Sequence, residues 1–331
     1  MNTAGKSIMG PLFAAALLFT VTPSWAQFNE PDETPNQSAA LGASIVQYVK
    51  IGISVTAKGG PCRGLEGTTP IPIAWPEQEI ELVEEDVSSA VRRVEYRLIG
   101  PVGSNESTAR QMLVKVPQLT AGEEAHAILT FKLTSYAQEA PADTSAFVRP
   151  DKRDRSMRTY LNPSPKIETK DRGIGKIAEQ IAQENKGRSD WELVEAFYDW
   201  VRDNIEYEDG PLKGARQALR DGTGDCEELT SLFIALCRIE GIPARSVWVE
   251  GHCYPEFYLL DNDETGHWFP CQAAGDRAFG SMPDRRPIYQ KGDNFKVPES
   301  KERYRYVPEN LVGSGGSPSV KFIREVLPNL P

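Results

Sequence analysis

Histidine and cysteine are scarce in this chain of 331 residues, and the placement of the few present excludes several chemistries. There are three histidines, and five cysteines at 62, 226, 237, 253 and 271. No two cysteines form a Cys-x-x-Cys pair, so a metal site drawn from His252, Cys253, His267 and Cys271 lacks supporting spacing, and no metal is expected. Positive charge is in deficit, with 37 Lys and Arg against 47 Asp and Glu and a net charge of −10. Nucleic acid is therefore not an expected partner. Past residue 26 no apolar run approaches transmembrane length, so no membrane span is expected once that segment is removed. Asp261–Gly266 begins like a calcium loop, but its twelfth position is Gln272, where bidentate ligation needs Glu. Gly313–Ser317 lacks the Lys-Ser/Thr ending of a phosphate loop, and nothing suggests an organic cofactor.

The first 26 residues read as a signal peptide. Lys6 supplies the positive charge, Leu12–Val21 the apolar run, and Ser24 and Ala26 the small residues of a cleavage site. Export to the periplasm or exterior follows, and disulfides are permitted there. An odd cysteine count still leaves one thiol unpaired within the chain. Residues 27–42 are polar and read as a linker. From 43 to 137, Ile45–Val55, Glu79–Val83, Val94–Leu98, Gln111–Val116 and Ala127–Leu133 are strand-like runs between turn residues. They predict a β-sandwich domain of immunoglobulin-like type. Residues 138–165 are Pro- and charge-rich and read as a connecting segment.

Helical spacing begins near 170, and 166–300 is expected to be an α+β domain. Ile174, Ile177, Ala178 and Ile181 mark one helix, and Leu193, Val194, Phe197, Val201 and Ile205 a second, started by Ser189 and Glu192. Leu229, Leu232, Phe233 and Leu236 mark a third, which stops at Gly241 and Pro243. Strands are expected at Ser246–Glu250, His252–Leu260 and His267–Cys271. Residues 301–331 read as a C-terminal extension, with Gly313–Ser317 as a flexible loop.

The chemistry concentrates at Gly222-Thr-Gly-Asp-Cys-Glu-Glu228. Cys226 falls in the first turn of the third helix, where free backbone N–H groups favour a thiolate. Its own N–H is a candidate oxyanion donor. If 261–266 is a turn, a hairpin centred there sets His252 opposite Gln272 and Cys253 opposite Cys271. A slip of two residues preserves which face each occupies. Gln272 can accept Nδ1–H of His252 and leave Nε2 toward Cys226, the arrangement a general base needs. Cys253 and Cys271 are then candidates for a disulfide. Trp191, Trp200 and Tyr207 are upstream aromatics with a polar handle; of these Tyr207 is the weak choice for a second oxyanion donor. Glu256 shares the His252 strand face and is a site-lining candidate, or else a solvated strand residue.

Three separated motifs carry a family resemblance. Gly224–Arg245 resembles the nucleophile helix of the transglutaminase-like superfamily, His252–Leu259 its histidine strand, and Trp268–Gln272 the strand that ends in the third catalytic residue. Tyr198–Tyr207 resembles the preceding helix of bacterial-type members. The resemblance covers about 165–275 and implies a papain-like transglutaminase core with Cys226, His252 and Gln272 as the catalytic set. One position departs: the family has Asp where this chain has Gln272. An amide can orient His252 but adds no charge, and in a serine triad losing that charge and tautomer control costs about 10⁴ in rate.

Two functions are weighed. In the first, an exported cysteine peptidase, amidase or acyltransferase forms a thioester with a peptide or protein amide, hydrolysis being favoured over transamidation. In the second, a catalytically inactive module binds a peptide or protein partner, a reading favoured by Gln272. A depressed Cys226 pKa separates them, because a structural thiol has no need of one. Substrate and oligomeric state are not written in the sequence.

Overall fold

A computed structural model describes residues 40–327. The signal segment 1–26, residues 27–39 of the expected linker and residues 328–331 lie outside the described residues. The elements run β1 (Ala40–Ile71), β2 (Gln78–Val87), β3 (Arg93–Ile99), β4 (Ala109–Leu119), β5 (Glu124–Glu139), α1 (Arg172–Glu184), α2 (Asp190–Asn204), β6 (Glu206–Tyr207), α3 (Ala215–Asp221), β7 (Thr223–Gly224), α4 (Cys226–Ile239), β8 (Ala244–Val249), β9 (His252–Leu260), β10 (Gly266–Pro270), β11 (Ile288–Lys291) and β12 (Asn310–Leu327). No helix among the described residues is long and apolar enough to cross a membrane.

Alternation builds the first half. Val49, Ile51, Ile53, Val55 and Ala57 of β1 turn inward at every second position, and Ala125, Ala127, Leu129, Phe131 and Leu133 of β5 meet them. Met112, Val114 and Val116 of β4 close the same core. Complete burial of a side chain such as Ile51 or Phe131 contributes roughly 1.5–3 kcal/mol.

The strands expected to form a separate immunoglobulin-like sandwich share one hydrogen-bonded sheet with the second half. The order β10-β9-β8-β11-β4-β1-β5-β2 is one hydrogen-bonded path, with β12 on β1 and β3 on β4. The link from β4 to β11 is a single pair, Ala109 with Gln290. β1 runs through the Gly-rich stretch Lys58–Gly67 with register shifts and stays paired to β12. Gly59 and Gly60 adopt positive φ there. Residues 40–56 of β1 pair with β5, and 62–71 pair with β4.

The expected flexible loop at 313–317 is likewise corrected, since it lies inside β12, against β1. A Cβ on Gly315 would collide with the carbonyl of Pro61, and one on Gly316 with that of Gly60. These glycines permit backbone contact rather than mobility. Residues 40–42 of the expected linker already belong to β1.

The second half is helical on one side. α1 turns Ile174, Ala178 and Ile181 inward, and α2 turns Trp191, Leu193, Val194, Phe197 and Val201. They enclose α4, whose Leu232–Cys237 stretch is fully buried, and α4 packs on β8 and β9. α2 starts at the capping box of Ser189 and Glu192. α4 ends before Gly241 at φ 83°. α3 has no counterpart in the sequence-based expectations, because seven residues are too few for a periodic apolar face.

Candidate active site

The nucleophile helix begins under tight local control. Gly222 ends α3 in the left-handed region at φ 71°. Tyr207 of β6 pairs with Gly224 of β7, so the chain enters α4 from a two-stranded ladder. Asp225 caps α4 by accepting the Glu227 N–H at 2.7 Å, and the Glu228 carboxylate returns to the Asp225 N–H at 3.3 Å. Glu228 also accepts the N–H groups of Lys213 and Gly214, at 2.8 and 3.0 Å. A Cβ on Gly224 would occupy the space of the Glu228 side chain. Burial opposes the Glu228 charge, but these N–H donors hold its pKa below the ordinary value. Burial first, and then Glu228, push Asp225 up to about 6.

Cys226 is half-buried at the first position of this helix. His252 opens β9 directly after the Glu250-Gly251 turn, with Val249 of β8 opposite it. Gly251 takes φ 64° in that turn. The two strands thus deliver the imidazole to the N-terminus of α4, and Thr230 Oγ1 of α4 reaches the Cys253 carbonyl at 3.4 Å. His252 and Cys226 act on each other's protonation, the ring lowering the thiol and the sulfur raising the imidazole.

Gln272 lies just past β10, and its Oε1 is 2.8 Å from His252 Nε2. The expected ring direction is therefore reversed. A carbonyl oxygen only accepts, so Nε2 carries the proton and Nδ1 is left for Cys226. The register explains why the contact survives an inexact turn. Gly266 pairs with Leu260 and Pro270 with Glu256, so the hairpin is offset by two residues from the expected pairing. Parity is unchanged, and Gln272 keeps the His252 face.

The same offset removes the expected partner of Cys271. Its N–H donates to the Pro255 carbonyl at 2.9 Å, and all five cysteines are free thiols. The Cys253–Cys271 disulfide is thereby corrected. Cys271 packs with the helical core, whereas the Cys253 sulfur sits 3.6 Å from the Cys226 carbonyl. His267 contacts Asp261 at 2.7 Å, so it does not join His252.

The electrostatics favour an ion pair. The Cys226 thiol is lowered to about 4. The hydrogen bond from the Cys253 thiol is the largest cause; burial opposes it, and His252 and the Cys253 N–H add to it. Burial alone would lower His252, yet its hydrogen bonds to Cys226 and Gln272 raise it above its ordinary value. A thiolate beside an imidazolium is a ready nucleophile with a proton donor at hand.

Glu256 neither lines the site nor meets solvent. It is 1% exposed and pairs with Arg245 at 2.7 Å and Lys291 at 2.6 Å. Arg245 is its direct cross-strand partner on β8, and Lys291 also pairs with Glu77. Burial opposes its charge, but the two cations hold its pKa below the ordinary value. Tyr207 is 53% exposed, with its phenol donating to Asp209 at 2.9 Å. That bond is the main reason its pKa rises to about 12.

Two positioning residues escaped the sequence reading. Tyr198 Oη donates to the Gln272 carbonyl at 2.9 Å, and Arg202 Nη1 does so at 3.0 Å. Tyr198 also accepts the Ala278 N–H at 3.1 Å. Their spacing of four on α2 was the available signal, since it sets both on one helix face. Glu228 was the third omission, readable as the fourth member of an Asp-x-x-Glu cap.

Residues 175–273 match the model of the transglutaminase-like superfamily. This span contains Cys226, His252 and Gln272. Among solved structures, a candidate cysteine protease from Cytophaga hutchinsonii is 17% identical, with 85% of this chain and 93% of that chain covered and a TM-score of 0.51. This likeness shows a mixed α/β fold with a large antiparallel sheet and few helices, similar to transglutaminase-like folds. The periplasmic domain of TgpA from Pseudomonas aeruginosa, bound to ethylmercury, is 14% identical, with 67% and 89% covered and a TM-score of 0.32. A search of curated proteins returns no significant match.

Proposed function

We propose that this transglutaminase-like core is an exported cysteine hydrolase of peptide or protein amides, acting through Cys226, His252 and Gln272. The observation that carries the reading is the Cys226–His252–Gln272 chain of contacts at the N-terminus of α4, with Nε2 of His252 2.8 Å from Gln272. In this mechanism the Cys226 thiolate adds to the amide carbonyl carbon. The C=O π pair moves to oxygen, and the Cys226 N–H at the helix start is an oxyanion donor. The C–N bond then breaks as the nitrogen takes the proton from Nδ1 of His252, leaving a thioester. Water adds to the thioester as Nδ1 takes its proton, and collapse releases the acid and restores the thiolate. Gln272 holds the ring throughout by accepting Nε2–H.

Hydrolysis is favoured over transfer because water needs no second binding site. A thiol lowered to about 4 supports the enzyme over a purely binding module, which gains nothing from a thiolate.

The test is incubation of the processed chain with a peptide mixture, with new termini read by mass spectrometry. Cleavage is expected in the wild type, falling on the order of 10⁶-fold in Cys226→Ala and in His252→Ala. Added primary amine should leave the free acid as the main product. Peptide binding without any turnover, equal in wild type and Cys226→Ala, would overturn the enzyme reading.

A further inference from the structure

We propose that Cys253 is the resolving thiol of an oxidative modification site, closing a reversible disulfide with Cys226 after a hydroperoxide has oxidised the nucleophile. The inference rests on the reactivity assigned to Cys226 but not on amide turnover. Cys253 follows His252 on β9, directly beneath the first turn of α4, with its sulfur 3.6 Å from the Cys226 carbonyl. Each thiol also acts on the other's protonation, Cys253 lowering the Cys226 thiol and Cys226 raising that of Cys253. Thr230 fastens the helix to the Cys253 carbonyl, so the pair is held by two packed elements rather than by a loop. The other cysteines are committed elsewhere. Cys62 hydrogen-bonds to the Gly316 carbonyl in the N-terminal core, Cys237 is enclosed within α4, and Cys271 lies opposite Pro255.

Access orders the reaction. Cys226 is half-buried and open to a small oxidant, whereas Cys253 is 1% exposed. Burial, and after it the neighbouring Cys226, keeps the Cys253 thiol protonated and unreactive in the resting state. In the first step the Cys226 thiolate attacks a peroxide oxygen and the O–O bond breaks. This gives Cys226–SOH, and the leaving oxygen takes a proton to become an alcohol or water. In the second step the Cys253 sulfur attacks the Cys226 sulfur. The S–O bond breaks, and the Cys253 proton leaves with the hydroxyl as water. The two thiols lose two electrons and the hydroperoxide gains them. The neutral sulfenic acid no longer opposes charge on Cys253, so the first step releases the second. The disulfide removes the nucleophile and protects it from irreversible oxidation.

The experiment treats the intact protein with hydrogen peroxide, blocks free thiols, digests without reductant and maps linked peptides by mass spectrometry. A peptide joining Cys226 to Cys253 is expected, and dithiothreitol should restore iodoacetamide labelling of Cys226. In Cys253→Ser, checked for native unfolding behaviour, Cys226 should pass to sulfinic acid and labelling should not return. Cys226 sulfinic acid in the wild type without a linked peptide would overturn the proposal, as would linkage to another cysteine. Because the readout is the bond itself, it stands or falls apart from amide turnover. A linked pair in a protein that cleaves nothing retains this inference and removes the hydrolase reading.

Discussion

At position 272 the third site residue is an amide where an acid is the family's usual choice, and the consequences are electrostatic. Gln272 accepts Nε2–H of His252 at 2.8 Å but contributes no negative charge. The imidazolium is instead balanced by the Cys226 thiolate, so the pair is internally neutral. Gln272→Asp should raise the His252 pKa further and extend activity to higher pH, because the added carboxylate stabilises the charged ring. Gln272→Ala frees the ring and should lower kcat by about 10²-fold, the low end of what a positioned general base contributes. A pH–rate profile of both variants checks this. The account fails at this position if the alkaline limb of Gln272→Asp does not move. The convergence of Cys226, His252 and Gln272 was legible in the sequence, because Cys226 begins α4, His252 begins β9 and Gln272 lies just past β10. The direction of the ring was not, since it depends on a two-residue register offset and on where α4 crosses β9. Glu256 was misread for a related reason. Its strand face was deduced correctly, but Arg245 and Lys291, which neutralise it, come from two other strands.

α4 shows how one element carries both fold and chemistry. Its apolar face anchors it on β8 and β9, and its first turn is fixed by Glu228, which ties the 213–214 backbone to the helix start. Glu228→Ala would leave these buried N–H groups without acceptors and should cost about 2 kcal/mol of stability. It should also slow Cys226 alkylation, because the turn that positions the thiol loosens. Urea unfolding with parallel thiol labelling reads both effects; unchanged stability would remove Glu228 from the account. The long helices and the site strands were legible because their periodicities are clean and their ends carry Ser189 or Gly241. α3 was not, being set by its neighbours rather than by an apolar repeat of its own.

Across the whole molecule, β1 and β12 decide the architecture. Together they join the β5–β2 strands to the β4–β3 strands, and the single pair of Ala109 with Gln290 then links β4 to the strands that carry His252. Local pattern does not reveal this, because Lys58–Gly67 and Gly313–Ser317 have the composition of loops. They are strands because each supplies the small residues the other's backbone requires. Gly315→Ala, with φ 103° and no space for a Cβ against Pro61, should destabilise the fold by about 2–3 kcal/mol. A lower urea midpoint with an unchanged slope is the expected result, and an unaltered midpoint would refute the pairing as drawn.

The thiolate–imidazolium pair is the central claim, and the rate of iodoacetamide alkylation at Cys226 against pH tests it most directly. Read by mass spectrometry, the wild type should label rapidly with a midpoint of about 4, since the thiol loses its proton as pH rises through that value. In His252→Ala the midpoint should move upward, because a hydrogen bond and a positive charge are lost. Slow labelling with the midpoint of a free thiol, about 8.5, and indifference to His252 would contradict the account.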